Sequence, residues 1–393
     1  MRYRRLGRTD ENVSILGFGA MRLPVLGGEH HNMDVPQATE MLHFALEHGV
    51  NYVDTAYPYH GRSHSEPGAS ETFLGDALQG GYREKVLLAT KLPSWLVERS
   101  EDMDRFLEGQ LKRLKTEVVD CYLLHSLNEG TWERLRRLNV LEFLDRAKQD
   151  GRIRYAGFSF HGGPDLFPRI VDAYGWDFCQ IQYNYMDVDY QAGAAGLRYA
   201  GDKGLGVVIM EPLKGGRLAA RIPPEVERIW EQAPFRRSPV EWALRFVWND
   251  PRVSLLLSGM SSPAQVRQNV LLAEGGEPDS LSAEELELIA RVRAVYRSRT
   301  RADCTQCKYC LPCPSGVDIP RVLEHLNDAA LFRSLEETRL SYSQGRTGLA
   351  SECSQCAECE ESCPQGLPIR DLMTEAVELL ERRGRSHRGS SCA

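Results

Sequence analysis

Eight cysteines after residue 300 constrain this 393-residue chain more than anything that precedes them. They form two runs, Cys304-x2-Cys307-x2-Cys310-x2-Cys313-Pro314 and Cys353-x2-Cys356-x2-Cys359-x3-Cys363-Pro364. Thiolates at this density read as metal ligands before disulfide partners. Structural zinc also takes four cysteines, but usually as two separated C-x2-C pairs. Two successive runs, each closed by Cys-Pro, match the ligation of 4Fe-4S clusters. In that pattern three close cysteines hold one cluster and the cysteine before proline crosses to the other. Cys304, Cys307, Cys310 and Cys363 thus fall to one cluster, and Cys353, Cys356, Cys359 and Cys313 to the second. The first run has two residues, not three, before its last cysteine. Cys121 and Cys179 sit in apolar runs and are expected to be buried and inert. Cys392, near the C-terminus, reads as an exposed thiol.

The preceding residues alternate between short apolar runs and longer amphipathic segments. The runs are Val13–Gly17, Val50–Asp54, Val86–Lys91, Val118–His125, Ile153–Ser159, Phe178–Tyr183, Gly206–Glu211 and Ser254–Ser258, and each reads as a buried strand. Ala38, Met41, Leu42, Ala45 and Leu46 share one helical face, as do Phe106, Leu107, Leu111 and Leu114. Such alternation predicts parallel strands with crossover helices. Eight strands in roughly 260 residues favour a closed (β/α)8 TIM barrel. An open, doubly wound sheet would want a third glycine after Gly17-Phe18-Gly19. A helix opened by Ser282-Ala283-Glu284-Glu285 closes this α/β domain. The expected division is a barrel over 1–297, a small mainly helical cluster domain over 298–381, and a flexible basic tail over 382–393.

Net charge is -7, which argues against nucleic-acid binding. No apolar run approaches the roughly 20 residues that cross a bilayer. The basic N-terminus leads into polar residues rather than a signal-peptide core, so the expected compartment is the cytoplasm and no membrane is expected. Residues 300–381 carry 14 acidic and 7 basic side chains, while 382–393 add four arginines and no acid. A redox protein partner of the cluster domain would therefore need a basic or largely apolar docking face.

Reactive residues of such a barrel sit at the C-terminal ends of its strands. Strand two ends in Asp54-Thr55-Ala56-Tyr57-Pro58-Tyr59, strand three in Thr90-Lys91 and strand four in Leu123-Leu124-His125. An acid, a tyrosine, a lysine and a histidine thus converge on one mouth. Hydride delivery to a carbonyl carbon leaves negative charge on oxygen, which needs a proton donor. Free tyrosine, with a pKa near ~10, is a reluctant one. A neighbouring lysine lowers that pKa, and a carboxylate holds the lysine in place.

With D-T-A-x-x-Y, the strand-end lysine, L-L-H, G-F-S, Q-I-Q-Y-N and S-S-P-A-Q-V-R-Q-N, the chain resembles the aldo/keto reductase family over about residues 1–297. As a whole it resembles the subgroup with a C-terminal two-cluster ferredoxin domain. The helix-rich insert between the cysteine runs is similar to helical ferredoxins. The resemblance implies NADP or NAD as cofactor, a small carbonyl compound or alcohol as substrate, and electron transfer through the clusters. It implies Asp54, Tyr59, Lys91 and His125 as a catalytic tetrad, with Tyr59 rather than Tyr57 as the acid/base. Ser159 and Gln180 match positions that hold the nicotinamide carboxamide, and Gln268 and Asn269 match the adenine end. Gly19, Met21, Met210, Glu211, Leu213, Gly216, Gly259, Ser261 and Gln265 complete the implied cofactor set. Lys214-Gly215-Gly216-Arg217 either touches the pyrophosphate or makes a plain turn. Phe160 replaces the usual asparagine after Ser159, and Met210 the usual stacking aromatic. Gly259 and Gln265 stand where a lysine and an arginine commonly grip a 2'-phosphate.

Overall fold

The computed structural model describes residues 1–219, 222–305, 307–332, 335–344 and 347–382. Beyond Arg382, the expected basic tail and Cys392 lie outside the described residues. Two compact units partition the chain, Met1–Ile222 with Trp230–Arg291, and Pro223–Ile229 with Val292–Ala393.

The first unit opens with an antiparallel hairpin, β1 (Tyr3–Arg5) and β2 (Asn12–Ser14). Eight parallel strands follow: β3 (Leu16–Gly19), β4 (Tyr52–Asp54), β5 (Leu87–Leu92), β6 (Val119–Leu127), β7 (Ile153–Phe160), β8 (Phe178–Gln182), β9 (Gly206–Met210) and β10 (Val253–Ser258). They close into a barrel in sequence order, with β10 pairing β3. The run read as one strand over Val13–Gly17 is two, broken at Ile15. Ile15 N–H is claimed by the Arg2 carbonyl, while its own carbonyl accepts from Leu256 N–H and the Trp248 indole N–H. The other seven strands lie where the apolar runs place them.

Local signals behave as their chemistry dictates. Ser238 Oγ accepts from Glu241 N–H at 3.1 Å, and Ser282 and Glu285 cap each other reciprocally. Gly49 and Gly204 end helices with φ of 93° and 78°, a region that favours glycine. Two cores result. One lies between strands and helices and includes Leu88, Tyr122, Phe158 and Ile181. The other fills the barrel, where hairpin residues Leu6 and Val13 meet Tyr52, Ala89, Cys121, Leu123, Phe178, Val208 and Leu255. Complete burial of one such leucine or valine contributes about 1.5–3 kcal/mol. Cys121 and Cys179 are fully buried, and burial raises both thiol pKa values well above the ordinary range.

The second unit is mainly helical, with helices Ile319–Phe332, Leu335–Gln344, Glu358–Glu361 and Ile369–Ala376 and a wider last turn over Val377–Glu381. Its core joins Val322, Leu323, Leu326, Ile369, Leu372 and Ala376, with six of the eight clustered cysteines packed against it. The Arg299 guanidinium pairs with Glu225 at 2.9 Å, tying the short helix Pro224–Trp230 into this unit.

Candidate active site

Strand geometry places the reactive residues. Side chains alternate along a strand, so every second residue points the same way. Tyr52 on β4, Leu87 and Ala89 on β5, and Cys121 and Leu123 on β6 all face the barrel interior. The next inward positions toward the C-terminal end are Asp54, Lys91 and His125. The same step from Phe178 and Val208 gives Gln180 and Met210, and from Gly157 it gives Ser159.

Lys91 is fully buried, and each of its three ammonium donors has an acceptor. Nζ lies 2.7 Å from Asp54 Oδ1, 2.8 Å from the Thr55 carbonyl oxygen and 3.2 Å from Tyr59 Oη. Burial lowers the lysine pKa against the pull of Asp54, and raises that of Asp54 against the pull of Lys91. His125 stands edge-on to Tyr59, with ring centroids 6.2 Å apart. Burial, then the Lys91 charge and His161, push its imidazole well below the ordinary range, so it is neutral at physiological pH. Tyr57 is elsewhere, its ring edge against Phe106 at 5.4 Å and the Arg113 guanidinium 5.3 Å from its centroid.

Two neighbours were not anticipated from the sequence. Trp95 packs 5.1 Å from His125 and donates its indole N–H to the His64 carbonyl. His161, two residues after Ser159, is held at about 4 by burial, with Gln191 at 3.2 Å from Nδ1. Histidine beside Phe160 was the available signal.

The residues matched to the cofactor divide into two groups. Ser159, Gln180 and Met210 lie at adjacent strand ends, with Ser159 paired to Gln180 and Gln182 to Met210 in register. Ser159 Oγ accepts from Ser126 N–H at 2.7 Å. Gln180 Nε2 donates to Met210 Sδ at 3.6 Å, while its buried Oε1 has no hydrogen-bond partner among the described residues. An unsatisfied amide oxygen at the barrel mouth suits a carboxamide N–H donor.

The remainder are divided between contacts within the protein and exposed positions. Asn269 donates to Ser258 Oγ at 3.0 Å and is buried. Gln265 Oε1 accepts from Ser261 N–H and Oγ. Gln268 is exposed on the same helix, Pro263–Leu272. A Cβ on Gly19 would meet the Ser258 carbonyl at 3.3 Å, and one on Gly259 would meet the Arg22 side chain at 3.0 Å. Arg22 pairs with Glu211 at 3.2 Å. Met21 is half-buried, and Leu213 packs against the barrel core. Lys214 turns inward to Asp187 at 2.7 Å. Lys214–Gly216 form a single short helical turn, with open space around Gly216 at φ 93°.

The clustered cysteines group across the two runs. The Cys310 thiol is raised by burial and then by Cys307, Cys304 and Cys363. That of Cys359 is pushed up to about 11 by burial, Glu360, Cys353 and Cys313. Each run therefore feels the Cys-Pro cysteine of the other, as crossed ligation of two clusters requires. As the chain stands, no group of three or more His, Cys, Asp or Glu among the described residues could hold a single metal ion.

Comparison with known proteins gives the class, then the family. The closed eight-strand parallel barrel and its oxidoreductase relatives make this chain an oxidoreductase. Residues 15–293 match the aldo/keto reductase family, and the chain belongs to it. Residues 303–368 match a 4Fe-4S dicluster domain. The chain is 32% identical over 238 residues to the uncharacterized oxidoreductase YrpG of Bacillus subtilis, covering 56% of this chain and 69% of that one. It is 28% identical over 316 residues to L-galactose dehydrogenase of Arabidopsis thaliana, covering 74% and 93%. The holo form of an aldo-keto reductase from Bacillus halodurans superposes with a TM-score of 0.59 at 28% identity, covering 74% of this chain and 96% of that one.

Proposed function

We propose that the barrel transfers hydride between a nicotinamide dinucleotide, NADP or NAD, and a small carbonyl compound or alcohol. The observation that carries this reading is the buried Lys91 ammonium, hydrogen-bonded at once to Asp54, the Thr55 carbonyl and Tyr59 Oη. A bound nicotinamide supplies or takes the hydride. The chain supplies the rest. Because Lys91 donates to Tyr59 Oη, the phenolic O–H is left to donate elsewhere, and the substrate oxygen is its acceptor. The adjacent cation favours the tyrosinate left behind. Neutral His125 donates a hydrogen bond to the same oxygen and orients it. Gln180 Oε1 and Ser159 hold the carboxamide.

Crossed sets of four cysteines would hold two 4Fe-4S clusters, which supply single electrons. A reducing compartment, the cytoplasm, fits this use of thiols. The acidic balance of residues 300–381 calls for a redox protein partner with a basic or apolar docking face. Anaerobic reconstitution followed by nicotinamide titration, with cluster absorbance and carbonyl turnover read together, tests the whole reading. Turnover absent with every nicotinamide, in protein whose Lys91 and Tyr59 are intact, would overturn it.

Cofactor preference follows from the pocket. Gly259 and Gln265 offer a 2'-phosphate no cation, and the Arg22 guanidinium is paired with Glu211. The expected NADPH over NADH preference is less than about tenfold in dissociation constant, a gap of about 1.4 kcal/mol. A preference of about a hundredfold or more would mean that Arg22 or Arg267 takes the phosphate.

A further inference from the structure

On the helix side of β5, opposite to the inward-facing Lys91 side chain, lies a second buried carboxylate. Glu71 stands in the first turn of helix Ala69–Ala77 and is fully buried, as is Gln110 on helix Ser100–Leu114. Glu71 Oε1 accepts from Thr90 Oγ1 at 2.6 Å and from Gln110 Nε2 at 2.7 Å. Glu71 Oε2 accepts from Arg113 Nε at 2.8 Å. Gln110 Nε2 also reaches the Lys91 carbonyl oxygen at 3.0 Å, and Gln110 Oε1 accepts from Tyr122 Oη at 2.8 Å. Beside Glu71, Ser70 Oγ bonds Thr55 Oγ1 at 2.8 Å, and the Thr55 carbonyl is itself an acceptor for Lys91.

We infer that Glu71 is a positioning residue for Lys91, fixing the end of β5 through Thr90 and Gln110 and balancing the lysine charge from the helix side. This rests on the tetrad reading and deepens it. Two apolar side chains could join these helices at less desolvation cost. A carboxylate whose donors lead directly to the lysine backbone has a more specific use. The charged and titratable groups around Lys91 are Asp54 on β4, Tyr59 in the loop after it, His125 on β6, Glu71 on its helix and, through Glu71, Arg113. Glu71 raises the lysine pKa, opposing the larger effect of burial. Tyr59 Oη lies 3.2 Å from Lys91 Nζ, so a charge placed beside one is felt by both.

The test is the pH profile of kcat for carbonyl reduction, for which the pair must be protonated. Glu71→Gln keeps the shape and removes the charge. Its alkaline limb should move down by about 0.5–1 pH unit, with KM for the carbonyl unchanged. Arg113→Met removes the opposite charge, and its limb should move up. Tyrosinate difference absorbance of the nicotinamide-free protein, taken against Tyr59→Phe, should shift in the same two directions. Limbs that stay put in folded variants, or that move the same way, would overturn the inference. If Glu71→Gln fails to fold, the Arg113→Met limb decides alone: upward supports the inference, and unmoved or downward overturns it. Lys91→Met with wild-type turnover would overturn the tetrad reading instead.

Discussion

Replacing Tyr59 with phenylalanine should lower carbonyl reduction by about 10²–10⁴-fold, the usual worth of a positioned general acid. Nicotinamide binding should be little changed, because the groups matched to the carboxamide, Ser159 and Gln180, lie on β7 and β8. The substitution removes one oxygen from a buried cluster. Lys91 keeps Asp54 and Thr55 as acceptors and loses only the 3.2 Å contact. The loss should therefore fall on kcat rather than on folding, and matched thermal melts with separate kcat and KM values check this. A loss below about tenfold would move the proton donor elsewhere. Tyr57 would be a poor substitute, since it faces Phe106 and Arg113. His125 would be the better one, although burial and Lys91 hold its pKa far below that of a good donor at neutral pH.

Asp54, Lys91 and His125 were legible in the sequence because each closes an apolar run. Once the runs were read as parallel barrel strands, these residues fell at their C-terminal ends. The order of the barrel and most element starts came from local chemistry in the same way, as at Ser238 and Ser282. What stayed hidden depends on partners far apart in the chain. Glu71 and Gln110 are 39 residues apart and look like ordinary helix surface residues until folded. The one signal was Gln110 itself, which falls on the buried stripe with Met103, Leu107 and Leu114. A polar residue on an apolar stripe needs a partner. The inward ion pair of Lys214 was hidden in the same way, because only the fold brings Asp187 beneath it. The break at Ile15 was hidden for a related reason. The run stays apolar throughout, and only the carbonyl of Arg2 reveals where pairing changes partner.

The second large effect concerns how the eight cysteines are shared. Anaerobically purified protein should hold about eight iron and eight sulfide per chain, and stoichiometric zinc without broad visible absorbance would refute this. Crossed ligation makes a sharper prediction than metal content. Removing Cys304 and Cys363 together strips two ligands from one cluster and none from the other, so about four irons should remain. Removing Cys304 and Cys313 together wounds both clusters, and little iron should survive. Ligation within each run predicts the reverse, because Cys304 and Cys313 would then share a cluster. The neighbours of Cys310 and Cys359 favour the crossed pattern. The same variants show what the clusters do. A barrel of this size buries ample core without a metal staple, so nicotinamide-linked carbonyl turnover should persist after cluster loss. Exchange with an external one-electron donor or acceptor should vanish. Undiminished one-electron exchange in cluster-depleted protein would show that the clusters are not its route.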